Sequence, residues 1–135
     1  MTDLLDQGAA AIADAVRRGR TSARDVAEAA IARVIARNPA LNAIVDFDPA
    51  EARAAADAVD ARRAQGFDGP LLGVPYTVKD TTWVAGRRVT NGSLLWKDFR
   101  PERDAVAVER LKRAGGVFLG MTNTPSLAAK GNTEN

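Results

Sequence analysis

The chain carries two hydrophobic rhythms, and they change over near Gly66. Before that glycine, apolar positions recur at helical spacing. In "LLDQGAAAIADAVRRG", Leu5, Ala9, Ile12 and Val16 share one face, and Gly19 behind Arg17 and Arg18 makes a stop, which predicts a first helix. "TSARDVAEAAIARVIARNP" predicts a second, with Thr21 and Ser22 as N-caps, a stripe through Ala27, Ile31, Val34 and Ile35, and an end before Pro39. "LNAIVDF" is a brief apolar run of strand length. Asp48 as cap and Pro49 in the first turn then open an alanine-rich third helix that Gly66 closes. Amphipathic faces of this kind build cores, so no chemistry is assigned to them.

After Gly66 the pattern becomes short apolar runs joined by glycine-rich turns. "GVPYTVK" sets Val74, Tyr76 and Val78 on one face of a strand, with Pro75 near its start, where no ladder hydrogen bond is needed. "RDAVAVERLKRAGG" predicts a helix capped by Asp104, with Ala107, Val108, Leu111 and Ala114 buried and Gly115 and Gly116 ending it. "VFLGMTN" follows as a buried strand over Val117 to Leu119 that ends in Gly120 and a polar turn. Strand, helix, strand at this spacing indicates a parallel crossover unit. In such sheets ligands bind beyond the carboxyl ends of the strands. Parallel neighbours would therefore bring Lys79 and Asp80 to the same rim as Met121, Thr122 and Asn123.

Composition narrows the chemistry. At 135 residues the chain suits one domain or part of one, and 46% apolar with 27% charged residues is a globular balance, not a disordered one. With no cysteine and no histidine, disulfides, thiolate nucleophiles and imidazole or thiolate metal sites are excluded. The net charge of +2 comes from interleaved acids and bases with no basic patch, so no nucleic-acid partner is expected. No apolar run reaches the about 20 residues of a membrane helix, and "MTDLLDQGAA" lacks the form of a signal peptide, so the expectation is a cytoplasmic protein without a membrane partner. Pattern alone reads Lys79 as a solvated charge at a strand end, since lysines commonly flank strands and Lys-Asp neighbours are ordinary surface pairs.

Motif order changes that reading. From Pro70 the chain resembles the amidase signature family of amide hydrolases. "PLLGVPYTVKD" is similar to the family's Leu-x-Gly-Val-Pro-x-x-x-Lys-Asp run, and "VTNGSLLW" to its Thr-x-Gly-Ser loop. "RDAVAVERLKRAGGVFLGMTN" is similar to its helix and Gly-x-Thr-Asn strand end, and "TEN" continues in register. The resemblance covers about half the chain, and the helical first half fits what precedes these motifs in the family.

The resemblance implies an α/β fold in which N-terminal helices precede the first strands of a mixed, largely parallel sheet covered by helices. It also implies hydrolysis of a carboxamide C–N bond by a Ser, cis-Ser, Lys triad, with a small-molecule amide as substrate and neither cofactor nor metal. Lys79 takes the position of the catalytic lysine. A neutral lysine can accept a hydroxyl proton through a bridging serine and return it to the leaving amine, and desolvation favours that neutral form. Asp80, Gly92, Ser93, Thr122 and Asn123 are expected to hold the structure beside the site by hydrogen bonds and unusual dihedrals. Thr124 and Leu127 are candidates for the pocket rim. Met121 departs from a position where the family often has lysine, and Pro125 to Leu127 from a glutamate followed by an aromatic.

A Gly-Ser-Ser-Gly-type segment, which carries the nucleophile, the bridging serine and the oxyanion-hole amides, does not occur in these residues. The expectation is therefore an N-terminal portion, with a helical region over 1–66 and the start of the α/β core over 67–135, inert by itself. The expected protein partners are the missing C-terminal part or a second copy of the chain as a homodimer. Two alternatives stand beside it. One is a non-catalytic binding or regulatory module with the family fold. The other is the ammonia-releasing subunit of a glutamine-dependent tRNA amidotransferase.

Overall fold

A computed structural model describes residues 4–131 and 133, so Glu134 and Asn135 of the "TEN" run lie outside the described residues. Helix α1 spans Ala9–Arg17 and begins after Gly8, whose φ of +89° breaks it from a 3-10 turn at Leu4–Asp6. The first stripe is thus split: Ile12 and Val16 are buried, Leu5 packs from the separate turn, and Ala9 is exposed. Helix α2, Ala23–Leu41, opens with a full capping box in which Ser22 Oγ accepts from Asp25 N–H while the Asp25 carboxylate accepts from Ser22 N–H. Two more first-turn amides, Ala23 and Arg24, donate to the Asp60 carboxylate at 2.9 and 3.0 Å. Such caps contribute about 1 kcal/mol each.

Contrary to the expected stop, α2 runs through Pro39. Proline at this place removes only the bond to Ile35, and Ile35, expected in the buried stripe, is 60% exposed on the wet side of the helix. The buried stripe is instead Ala23, Val26, Ala27, Ala30 and Ile31. Asn38 secures the end. Its side-chain oxygen accepts from Ala43 and Ile44 N–H, and its amide donates to Ile44 C=O at 2.8 Å. The left-handed Asn42 turns the chain directly into strand β1, Ile44–Phe47. Helix α3, Pro49–Ala64, starts as expected, with the Asp48 carboxylate accepting from Ala50 and Glu51 N–H.

Among the described residues, strands β2, Pro75–Lys79, and β3, Val117–Thr122, complete a three-stranded sheet of order β1-β3-β2. β2 pairs parallel to β3 and β1 antiparallel to it, so the sheet is mixed. β3 is longer than its apolar core suggests because Gly120, expected to end it, continues the ladder. A side chain there would sit 2.6 Å from Asp46 C=O, so the close approach of β1 requires glycine. The two faces of β3 bury different partners. Val117 and Leu119 pack towards α1, α2 and α3, with Ile12, Val16, Val26, Ile31, Val59 and Leu72 among the residues they join. Phe118 and Met121 pack with Val78, Val84, Val89 and Val108. Each such burial stabilises the fold by about 1.5–3 kcal/mol.

Helix α4, Val106–Arg113, crosses between β2 and β3. Asp104 does not cap it, contrary to expectation: its carboxylate accepts from Ala85 N–H at 2.8 Å and from Lys112 Nζ at 2.7 Å, bracing the preceding loop. Of the expected face only Val108 is buried. Leu111 and Ala114 are half-buried and Ala107 is exposed. Arg62 of α3 donates to the last carbonyls of α4, at Lys112 and Arg113, where the helix dipole favours a cation. No helix among the described residues is long and apolar enough to cross a membrane.

Candidate active site

The parallel ladder brings the two strand ends together. Lys79, last in β2, is in register with Thr122, last in β3, and Asp80 N–H continues the pairing to Thr122 C=O at 3.0 Å. The rim expected from the crossover pattern therefore exists. Alternation at the strand end sends the neighbours opposite ways, leaving Lys79 exposed while Asp80 is 5% exposed. The Lys79 ammonium has no hydrogen-bond or ion-pair partner among the described residues. These residues do not supply the burial that the lysine chemistry calls for.

A buried carboxylate needs partners, and Asp80 finds them ten residues on. Its carboxylate accepts from Thr90 N–H at 2.8 Å and from the Thr90 hydroxyl, and its carbonyl accepts from Asn91 N–H at 2.9 Å. The Thr90 hydroxyl in turn accepts from Gly92 N–H at 3.1 Å. Gly92 has φ +64° and lies where a Cβ would meet the Thr124 and Pro125 carbonyls at 2.7 and 2.6 Å, so the turn closes on the segment after β3 only with glycine. Leu127 N–H donates to Asn91 C=O at 2.7 Å and completes the contact.

The other expected site residues surround this turn. Ser93 Oγ accepts from Leu95 N–H at 3.3 Å and starts a 3-10 turn at Leu94–Trp96. Asn123 accepts from Thr124 N–H through its side chain and donates to Asn42 C=O, while its own N–H reaches Ala43 C=O. Thr124 is fully buried and Leu127 exposed. Met121, where the resemblance would place lysine, is fully buried among apolar side chains. Thr90, absent from the expected set although its motif was recognised, holds more of this turn than Ser93 does. Its signal in sequence is its place two residues ahead of the Gly-Ser pair.

A polar cleft of about 170 Å³ opens here, lined by Val45, Asp46, Asp80, Arg88, Thr90, Gly92 and Asn123. Lys79, Ser93, Thr124 and Leu127 do not line it. A larger apolar groove of about 450 Å³ passes Pro75, Tyr76 and Leu119 under α2, at the amino end of β2 and away from the lysine. Ligands of such sheets sit at carboxyl ends, which favours the smaller cleft and its rim.

This is an α/β unit with a lysine at the carboxyl rim of a parallel strand pair, braced by a buried aspartate. The chain belongs to the Amidase family, whose model matches residues 25–135. Among curated relatives, a glutamyl-tRNA(Gln) amidotransferase subunit of Roseiflexus castenholzii is 40% identical over the whole chain, which spans 28% of its length. An acylamidase of Rhodococcus erythropolis is 44% identical over 92% of the chain and 26% of its own length. The crystal structure of a bacterial aryl acylamidase of the amidase signature enzymes superposes with a TM-score of 0.87 at 33% identity, covering 95% of this chain and 27% of that one. The chain thus corresponds to the N-terminal quarter or so of the proteins it matches.

Proposed function

We propose that these residues form the N-terminal portion of an amide hydrolase and carry its catalytic lysine, Lys79. The observation behind the reading is the place of Lys79: the end of β2, in register with Thr122, beside a buried aspartate that fixes the following turn. Its chemistry is proton transfer. Through the bridging serine, a neutral lysine takes the proton of the attacking serine hydroxyl as that oxygen bonds to the carbonyl carbon of a small amide and returns it to the nitrogen as the C–N bond breaks. Water then cleaves the acyl-serine ester by the same proton route, releasing the acid and restoring the hydroxyl. The attacking and bridging serines come from the polypeptide that follows in the longer relatives, and its packing over the exposed Lys79 supplies the desolvation. By itself the 135-residue chain is inert. With this reading go association with that further polypeptide or with a second copy, a supporting role for Asp80, Gly92, Ser93, Thr122 and Asn123, a rim at Thr124 and Leu127, and a cytoplasmic location.

Release of ammonia or amine by the full-length protein, from a panel of aliphatic, aromatic and glutamine amides, tests the activity. Lys79→Ala is expected to lower turnover at least about 100-fold with the fold retained. Near-normal turnover in that variant would overturn the assignment. A second reading, an amidotransferase component that releases ammonia from glutamine within a larger assembly, draws on the 40% identity to such a protein along the whole chain. Turnover confined to glutamine and dependent on partner polypeptides would favour it.

A further inference from the structure

We infer that Arg87 is a positioning residue for Lys79, acting through the turn at Thr90 to Gly92. The inference rests on the amide-hydrolase reading and extends it to a side chain outside the recognised motifs. Arg87 lies in the long loop between β2 and α4, yet its side chain is only 14% exposed. Its guanidinium faces two carboxylates on other elements: Nη1 lies 3.4 Å from Asp46 Oδ1 in β1, and Nη2 lies 2.5 Å from Glu51 Oε2 in the first turn of α3. The guanidinium carbon sits 5.4 Å from the Phe118 ring centroid in β3, within cation–π range. Nε is buried with no partner among the described residues. A group held on several sides at the cost of one buried donor is fixed in place, unlike a surface arginine.

The loop is anchored to the α4 side by other means. Val84 and Val89 are buried, Gly86 N–H donates to Pro101 C=O, and Val89 N–H donates to Phe99 C=O. Arg87 ties the same segment to β1 and α3 across the sheet. Three residues further on, Thr90 grips the carboxylate of Asp80, the neighbour of Lys79. β2 is the terminal strand of the sheet among the described residues, so β3 supports the lysine from one side and this loop braces the end of the strand. Loosening the Arg87 contacts frees the turn, then Asp80, then the direction of Lys79. Displacement of a catalytic group by about 1 Å costs on the order of 100-fold in rate.

The test uses the full-length protein, with kcat and KM measured on its best amide for Arg87→Gln, Arg87→Lys, Asp46→Asn with Glu51→Gln, and Lys79→Ala in parallel. Arg87→Gln is expected to lower kcat at least about tenfold with KM changed less than about twofold. Arg87→Lys should recover part of the loss, and the double carboxylate variant should match Arg87→Gln without adding to it when the two are combined. Unchanged kcat in Arg87→Gln, or a change confined to KM or to melting temperature, overturns the proposal. Should Arg87→Gln fail to fold, Arg87→Lys and the carboxylate pair decide by the same criterion. Lys79→Ala separates the two ideas: an active Lys79→Ala refutes the catalytic lysine itself, whereas an inactive one beside a fully active Arg87→Gln refutes only the positioning role.

Discussion

Asp80 and Thr90 bind each other twice, the threonine donating both its N–H and its hydroxyl to the one buried carboxylate. The pair spans the turn after β2 and converts a strand end into a closed loop. Replacing Thr90 by valine keeps the shape and removes the hydroxyl, leaving Asp80 short of a donor and Gly92 N–H without its acceptor. A loss of about 1–3 kcal/mol is expected, seen as a lower urea midpoint at unchanged slope. Thr90→Ser, which keeps the hydroxyl, should recover most of it. Equal stability in Thr90→Val would show the bond to be immaterial.

Gly92 meets two constraints at once. Its φ of +64° disfavours any side chain, and a Cβ would fall 2.6 Å from the Pro125 carbonyl, a backbone atom with little freedom to retreat. Gly92→Ala is therefore expected to cost about 2 kcal/mol or more, read as a fall in melting temperature. Gly86 serves as the control. It also has positive φ, at +74°, but open space around it, so Gly86→Ala carries the dihedral cost without the clash and should fall less.

Local chemistry was legible where it was local. The Ser22 and Asp48 caps lie within three residues of the amides they hold, and the parallel placement of β2 and β3 followed from strand, helix, strand spacing. Asp104 has the sequence signature of a cap at the start of α4, yet its carboxylate serves Ala85, 19 residues earlier, a distinction that local spacing does not carry. Pro39 misled because a proline removes a single bond, which the end of a helix tolerates when Asn38 and Asn42 finish the turn. The shared rim of Lys79 and Thr122 was legible in the strand spacing, whereas only motif order singles out Lys79 itself as a candidate, since a lysine ending a strand is commonplace. Arg87 was invisible because its carboxylates lie 41 and 36 positions away on other elements, and no spacing rule reaches that far.

Glu28 links α2 to α3. It accepts from Arg53 Nε at 2.7 Å and from Arg24 Nε at 2.9 Å, and these hydrogen bonds, Arg53 first, hold its carboxyl down at about 2. A depressed carboxylate stabilises the fold above its ordinary value near 4.5, and that stabilisation is lost as pH falls through about 2. Melting temperature should therefore decline between pH 4.5 and 2 more steeply in the natural chain than in Glu28→Gln. The side chain is 41% exposed, so the difference should shrink in molar salt. Identical declines in both proteins at low salt would remove Glu28 from the acid response.

Tyr76 is the single tyrosine of the chain, so its titration can be followed without interference. The ring packs edge-on against Phe118 at 5.9 Å, and the hydroxyl is buried with no partner among the described residues. Burial first, and then the nearby Asp104 carboxylate, push the phenol well above its ordinary value of 10. A raised folded-state value means the neutral phenol is the form the fold favours. Stability is then fully present below pH 10 and falls as pH climbs from 10 towards the folded-state value. Tyrosinate absorbance should thus appear near pH 10 in denaturant and at distinctly higher pH in the folded protein. Tyr76→Phe deletes the unpartnered hydroxyl and keeps the ring, so near pH 7 it should leave stability unchanged or raise it by up to about 1 kcal/mol. Above pH 10 its advantage should widen, because the natural chain alone can gain stability in the unfolded state by releasing that proton. A folded-state titration at the denatured value, or a clear loss of stability in Tyr76→Phe at neutral pH, would mean that the hydroxyl has a partner in solution.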